Sequence, residues 1–241
     1  MPIKELEQEQ KTEEMNGADI PMLREMMDAG VIYGHGKSKT DPSFRPFIHA
    51  NRNGVELIDI AKTMALLEKA ASFVGSLKKE GKSILLVATQ PAAKEAGERL
   101  VKELEFATIG SRWIGGLITN FEKISKRIDY FKKTKEGLEK GEFAKYTKKE
   151  RLNIEKELGK MEKVFGGLKG LSKVPDAIFI IDPSFGAHNL AMAEAKKSGI
   201  PLIAIMDTDD NPESADYMIP ANDHAKLSID WIVDKIIEKS K

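Results

Sequence analysis

Three short runs of almost purely apolar sequence constrain what this chain can become: Ser83–Ala88, Ala177–Ile181 and Pro201–Met206. Each is too short for a buried helix and shows no polar alternation. Each therefore reads as a strand covered on both faces. Helix-length segments separate and follow them. Pro91 opens one that runs to about Leu104, Gly199 stops another over Ala187–Ser198, and Asn222 or Asp223 is placed to cap a closing helix to about Glu238. Upstream, Asn53-Gly54 turns into a strand at Val55–Ile60. Asp59 is placed to cap a helix over Ile60–Lys79, with Met64, Leu67, Ala71 and Val74 on one side and Gly81 at its end. Phe106–Ile109 and Tyr217–Ile219 are candidate short strands. Strands alternating with helices imply a doubly wound, mostly parallel sheet with right-handed crossovers. Gly34, Gly36, Pro42 and Pro46 break the stretch to Arg52, which reads as a loop. Pro21 opens a short helix, with Asp19 near its cap, that ends at Gly30. Residues 1–20, acidic and poor in large apolar side chains, are expected to form a disordered tail.

One segment departs from the alternation. Phe121, Ile124, Ile128, Phe131 and Leu138, then Ile154, Leu158, Met161 and Phe165, recur at spacings of three, four and seven within sequence that is otherwise Lys, Glu and Arg. Gly137 and Gly141 separate the two seams. Narrow heptad seams of this kind suit an antiparallel coiled-coil helical hairpin standing mostly in solvent. The expected organisation is an α/β domain made of 21–118 and 168–241, with the hairpin inserted at 119–167.

Net charge is zero, with 38 basic and 38 acidic side chains, but the charge is unevenly placed. Residues 119–172 carry +6 and residues 21–118 carry +3, between ends of −4 (1–20) and −5 (173–241). An internal basic excess permits a polyanion partner, although an unevenly composed solvated surface would look the same. The absence of cysteine excludes disulfides, thiolate metal sites and cysteine nucleophiles, and suits a reducing compartment. No apolar run is long enough to span a bilayer, and the acidic start suits neither a signal nor a transit peptide. A soluble intracellular protein is expected.

The motifs of nucleotide enzymes are missing: no Gly-x-Gly-x-x-Gly follows a strand, and there is no phosphate-binding loop or serine-hydrolase elbow. His35, His49, His188 and His224 are scattered and read as surface or packing residues. Carboxylates stand where an α/β enzyme places its site, at Asp182 after one strand and Asp207, Asp209 and Asp210 after another. A magnesium-dependent enzyme using Asp182, Asp207 and Asp209 is therefore one reading. The simpler one is that these aspartates cap helices and close Asx turns. No catalytic residue, metal or cofactor is assigned. The cations are more suggestive. Lys37, Lys39, Arg45 and Arg52 crowd a loop containing Phe44, Phe47 and His49, and Arg112 precedes Trp113 and Gly115-Gly116. Lys123, Lys126 and Arg127 lie on the first hairpin helix, and Lys148 and Lys149 open the second. Such cations neutralise phosphates and neighbouring aromatics stack on bases. On the hairpin the competing reading is internal salt bridges, such as Glu122 with Lys126. An adaptor that binds only protein through the hairpin is a third reading of the chain.

Several blocks, in order, resemble the family of the second protein of the small ribosomal subunit. They are Ala29–His35, Asn51–Thr63, Arg112–Phe121, Pro175–Pro183, Gly199–Thr208, Asn211-Pro212 and Ile219–Ala225. Together they reach across about residues 22–238, and the hairpin resembles the insertion of the bacterial and organellar branch. The resemblance implies a flavodoxin-like α/β domain with a protruding coiled coil and a non-catalytic role in the small subunit. It also implies contact with small-subunit ribosomal RNA and neighbouring ribosomal proteins, among them the large RNA-binding protein S-one, and a place in the ribosome of the cytoplasm or an organellar matrix. On this reading Lys37, Lys39, Arg45, Arg52, Arg112, Lys123, Lys126, Arg127, Lys148 and Lys149 are the RNA-binding residues. The chain departs from the family at Tyr33, often His, at Lys37–Phe44, which lacks the usual tryptophan, and at Ser184, usually Arg.

Overall fold

The computed structural model describes residues 19–240. Most of the expected acidic tail therefore lies outside the described residues. Its last two residues, Asp19 and Ile20, already belong to helix α1 (Asp19–Asp28).

The apolar runs become strands β4 (Ile84–Val87), β6 (Ala177–Ile181) and β7 (Leu202–Met206). With β5 (Ala107–Thr108) and β8 (Tyr217–Pro220) they form one parallel sheet in the order β5-β4-β6-β7-β8. Ile84–Val87 pair with Ala177–Ile180, and Ile178–Ile181 with Leu202–Ile205. Successive side chains go to opposite faces of a strand, so these continuous apolar runs feed two cores. Leu86, Phe179, Ile203 and Ile205 meet helices α2 (Ile60–Lys79), α3 (Lys94–Leu104) and α7 (Lys226–Ser240). Leu85, Val87, Ile178, Ile180 and Ala204 belong to a second core that also takes in α6 (His188–Ser198), the connecting residues Trp113, Leu117 and Leu168, and buried side chains of the two helices of the charged segment, α4 (Phe121–Glu139) and α5 (Lys148–Phe165). The sheet is thus covered on both faces. Asp59 caps α2 as expected, its carboxylate accepting from the amides of Ala61 and Lys62.

One expectation needs correction. The stretch from Gly34 to Arg52 is not all loop. It contains β1 (Tyr33–Gly36), a 3₁₀ turn over Pro42–Phe47 and β2 (Ile48–Arg52), which pair antiparallel on either side of β3 (Val55–Ile58). β1 and β2 contain no buried residue, so they carry no apolar alternation to betray them. β3 is therefore not part of the parallel sheet. In α4 and α5 the expected seam residues Ile124, Ile128, Phe131 and Phe165 are buried in the second core. Farther out, Lys135 bridges Glu162 at 3.0 Å between the helices. Among the described residues, no helix is long and apolar enough to cross a membrane.

Candidate functional site

Two features stand out: a crevice of carboxylates and histidines at the carboxyl ends of the strands, and a set of exposed cations on the segment from β1 to β2, before α4, and along α4 and α5. The crevice forms because β6, β7 and β8 end together. Asp182 follows β6, Asp207, Asp209 and Asp210 follow β7, and Asp223 follows β8. The chain from β1 closes over them. Asp41 donates its amide to the Thr208 carbonyl at 2.8 Å, and the His35 amide donates to Thr208 Oγ1 at 2.8 Å. His35 Nδ1 then lies 3.1 Å from Asp207 Oδ2 and 3.3 Å from Asp209 Oδ1. His224 Nδ1 is 2.6 Å from Asp223 Oδ1, and its ring meets His35 edge-on at 4.9 Å.

This is a costly arrangement electrostatically. Asp182, Asp207, Asp210 and Asp223 are all buried, and no Lys or Arg pairs with any of them among the described residues. Among the described residues no well-aligned hydrogen-bond donor reaches either oxygen of Asp182, or Oδ2 of Asp210 or of Asp223. Asp182 also holds a left-handed backbone at φ 60°, unusual for a residue with a side chain. Burial pushes its carboxyl up to about 6, against the attraction of His224. Burial pushes Asp210 up to about 7 although Ser184 donates to it at 2.7 Å. Burial, reinforced by the neighbouring carboxylates, raises Asp223 well above the usual range. The Asp207 carboxylate beside its ring raises His35, outweighing the effect of its own burial. His188 is lowered by burial; its Nδ1 donates to the Asp182 carbonyl at 2.6 Å, and Nε2 is left to accept from the Thr89 hydroxyl at 2.9 Å.

Expecting these aspartates only to cap helices and close turns is therefore incomplete. Asn211 does cap the 3₁₀ turn Pro212–Ser214, but Asp182, Asp207 and Asp223 share one space with two histidines. His35, Asp207 and His224 offer donor atoms within 4.8 Å of one another, as do Asp182, Asp223 and His224. Such mixed imidazole and carboxylate sets can hold a divalent cation, which would supply the positive charge the crevice lacks. Two of the four histidines that looked scattered in sequence, His35 and His224, are brought together where β1 closes over the ends of the parallel strands, and only the aspartates' shared position at strand ends hinted at it.

The ten predicted cations are all exposed. Lys37, Lys39 and Arg45 lie between β1 and β2, Arg52 ends β2, and Arg112 lies on the loop before α4. Lys123, Lys126 and Arg127 lie on α4, Lys148 and Lys149 on α5. Of the ten only Lys126 forms an ion pair among the described residues, with Glu122 at 2.7 Å, as the salt-bridge alternative expects. Arg127 sits over the Phe165 ring at 6.0 Å. The loop after Arg112 is braced by a residue that sequence reading passed over, Glu194 of α6. Its carboxylate accepts from Trp113 Nε1 at 3.0 Å and from the Gly116 amide at 2.7 Å.

The sequence model of a family described as Ribosomal protein S2 matches residues 26–240. The chain is 40% identical over 217 residues to the small ribosomal subunit protein uS2 of Dictyoglomus thermophilum, covering 90% of this chain and 87% of that one. The proteins of the same name from Dehalococcoides mccartyi and Geotalea uraniireducens are 36% and 37% identical over 216 residues, covering 90% of this chain and 87% and 84% of theirs.

Proposed function

The chain belongs to the ribosomal protein S2 family, a structural component of the small ribosomal subunit, and from that premise we propose how it is held there. It is not an enzyme; it associates with small-subunit ribosomal RNA and with other ribosomal proteins and serves translation as part of the particle. The reading of Asp182, Asp207 and Asp209 as a magnesium-dependent active site finds no support among relatives all named for the ribosome.

In the proposed arrangement two basic surfaces meet RNA. One is the N-terminal loop with Lys37, Lys39, Arg45 and Arg52; the other runs from Arg112 along 119–167, with Lys123, Lys126, Arg127, Lys148 and Lys149. The observation that carries this reading is that nine of these ten exposed cations have no carboxylate within ion-pairing distance among the described residues. Unneutralised surface cations are what a phosphate backbone recruits. Segment 119–167 acts as an inserted antiparallel coiled-coil hairpin on a flavodoxin-like domain of 21–118 and 168–241. The parallel strand order and the facing apolar residues of α4 and α5 support that division. The protein S-one is the proposed large neighbour and the cytoplasm the proposed compartment, which the lack of cysteine suits.

The test is a sucrose gradient of host lysate at moderate and high salt. Co-migration with the small subunit, released by nuclease or high salt, is expected; migration as a free protein of 26.8 kDa under all conditions refutes the reading. Replacing Arg45, Arg52, Lys126 and Arg127 together by glutamine should lower occupancy at elevated salt, each lost phosphate contact reducing the salt slope by about one. Unchanged occupancy would show that those four residues are not the contacts.

A further inference from the structure

Glu194 makes five hydrogen bonds to one short loop 75 to 81 residues away. Oε1 accepts from Trp113 Nε1 (3.0 Å) and the Gly116 amide (2.7 Å). Oε2 accepts from the Ile118 amide (3.1 Å), the Thr119 amide (3.2 Å) and Thr119 Oγ1 (3.2 Å). No cation pairs with it among the described residues; its charge is met entirely by N–H and O–H dipoles. Burial alone would raise its pKa, yet these donors together hold the carboxyl below the usual range. The loop it grips runs straight into α4, and Asn120, at the cap position before it, supplies no side-chain cap. On the returning side the fit is steric. A Cβ on Gly110 would collide with the Lys163 backbone oxygen, and one on Gly167 with the Thr108 backbone oxygen. The base of the helix pair is thus seated by backbone contact where α5 returns and, where α4 leaves, by the buried side chains of Trp113, Leu117 and Ile118 together with one polar anchor, the Glu194 carboxylate.

We propose that Glu194 is a positioning residue: its carboxylate sets the direction in which the α4/α5 pair leaves the α/β domain, and so the spacing between the two basic surfaces. This rests on the two-surface reading above. Two surfaces on one RNA act as linked sites, and linked sites gain only when their spacing matches the target. Glutamine cannot replace the carboxylate. Its amide nitrogen is a donor and would face either Trp113 Nε1 and the Gly116 amide or the Ile118 and Thr119 amides, leaving two donors unmet whichever way it turns.

The chain has no cysteine, so labels can be placed cleanly at Lys145→Cys beyond α4 and Lys102→Cys on α3, both exposed. Distances between the two spin labels are measured in the full-length protein with Glu194 and with Glu194→Gln, beside small-subunit incorporation at rising salt. The expected result is an unchanged circular dichroism spectrum, a broadened or shifted distance distribution, and incorporation at elevated salt lower by roughly tenfold. A distance distribution identical to that of the Glu194 protein overturns the proposal, even if the melting temperature falls. If Glu194→Gln does not fold, Trp113→Phe and Thr119→Ala, which each remove one side-chain donor, take its place with the same readouts. The two readings fail separately. Distances that move while the Glu194 protein never joins the small subunit refute the ribosomal reading and the link to RNA spacing, but not the positioning itself. Subunit association with unmoved distances refutes the positioning alone.

Discussion

At the scale of single residues, the buried carboxylates of the crevice couple this protein's stability to pH. Asp182 and Asp210 sit at about 6 and about 7, against an ordinary value of 3.8. A carboxyl raised in the folded state binds its proton more tightly there than in the unfolded chain. The stability it contributes is full below the ordinary value and is lost as pH rises through the folded one. His35, also raised, acts in the same sense. His188, lowered by burial, acts oppositely and loses its contribution as pH falls below 6.5. In a chelating buffer, so that no cation neutralises the crevice, the melting temperature should therefore fall between about pH 6 and pH 8. Asp210→Asn keeps an acceptor for Ser184 and removes the buried charge. It should raise the melting temperature at pH 8 on the order of 5 °C and flatten the dependence over that range. Thermal scans in which the variant tracks the parent from pH 6 to pH 8 would remove Asp210 from this account.

At the scale of elements, the helix pair is held by two kinds of contact with different energies. Thr147 and Glu150 form a reciprocal capping box at the start of α5, the Thr147 amide donating to Glu150 Oε2 at 2.9 Å. The box is exposed and serves only its own helix, so Thr147→Ala should cost about 1 kcal/mol. Phe131 of α4 is wholly buried in the core beneath the sheet. Phe131→Ala should cost about 3–5 kcal/mol and shift global unfolding, not just fray the pair. Denaturant melts read both values, and hydrogen exchange separates them: loss of protection confined to the start of α5 for the first, spread into β4 and β6 for the second. If Phe131→Ala left protection in β4 and β6 intact, α4 would be an appendage and not part of the sheet's second core.

At the scale of the whole molecule, zero net charge conceals a basic middle, with +6 over residues 119–172, and an acidic end of −5 over 173–241. The ion pairs within the protein are mostly exposed, such as Lys126–Glu122 and Lys140–Glu136. Exposed pairs contribute about 0–1 kcal/mol each, so raising salt from about 0.1 M to about 1 M should move the melting temperature by only a few degrees. The same change should strip the protein from the small subunit, because phosphate contacts are lost steeply with salt. Equal sensitivity of folding and association would mean that internal pairs, not RNA contacts, carry the charge effect. The parallel sheet, the helix that Asp59 caps and the apolar seams of α4 and α5 were legible along the chain. Each is a local pattern: an apolar run, a cap, a repeat of three and four. The exposed sheet of β1, β2 and β3 was not legible, because β1 and β2 gain their order from pairing with β3 and show no pattern of their own. Nor was the meeting of Asp182, Asp207 and Asp223 with His35 and His224, or the grip of Glu194 on Trp113–Thr119. Periodicity and propensity act over a few residues and so determine the elements. Contacts between side chains 75 or more positions apart, as Glu194 makes, exist only once the parallel crossovers have brought the strand ends together, and that placement the tertiary structure alone decides.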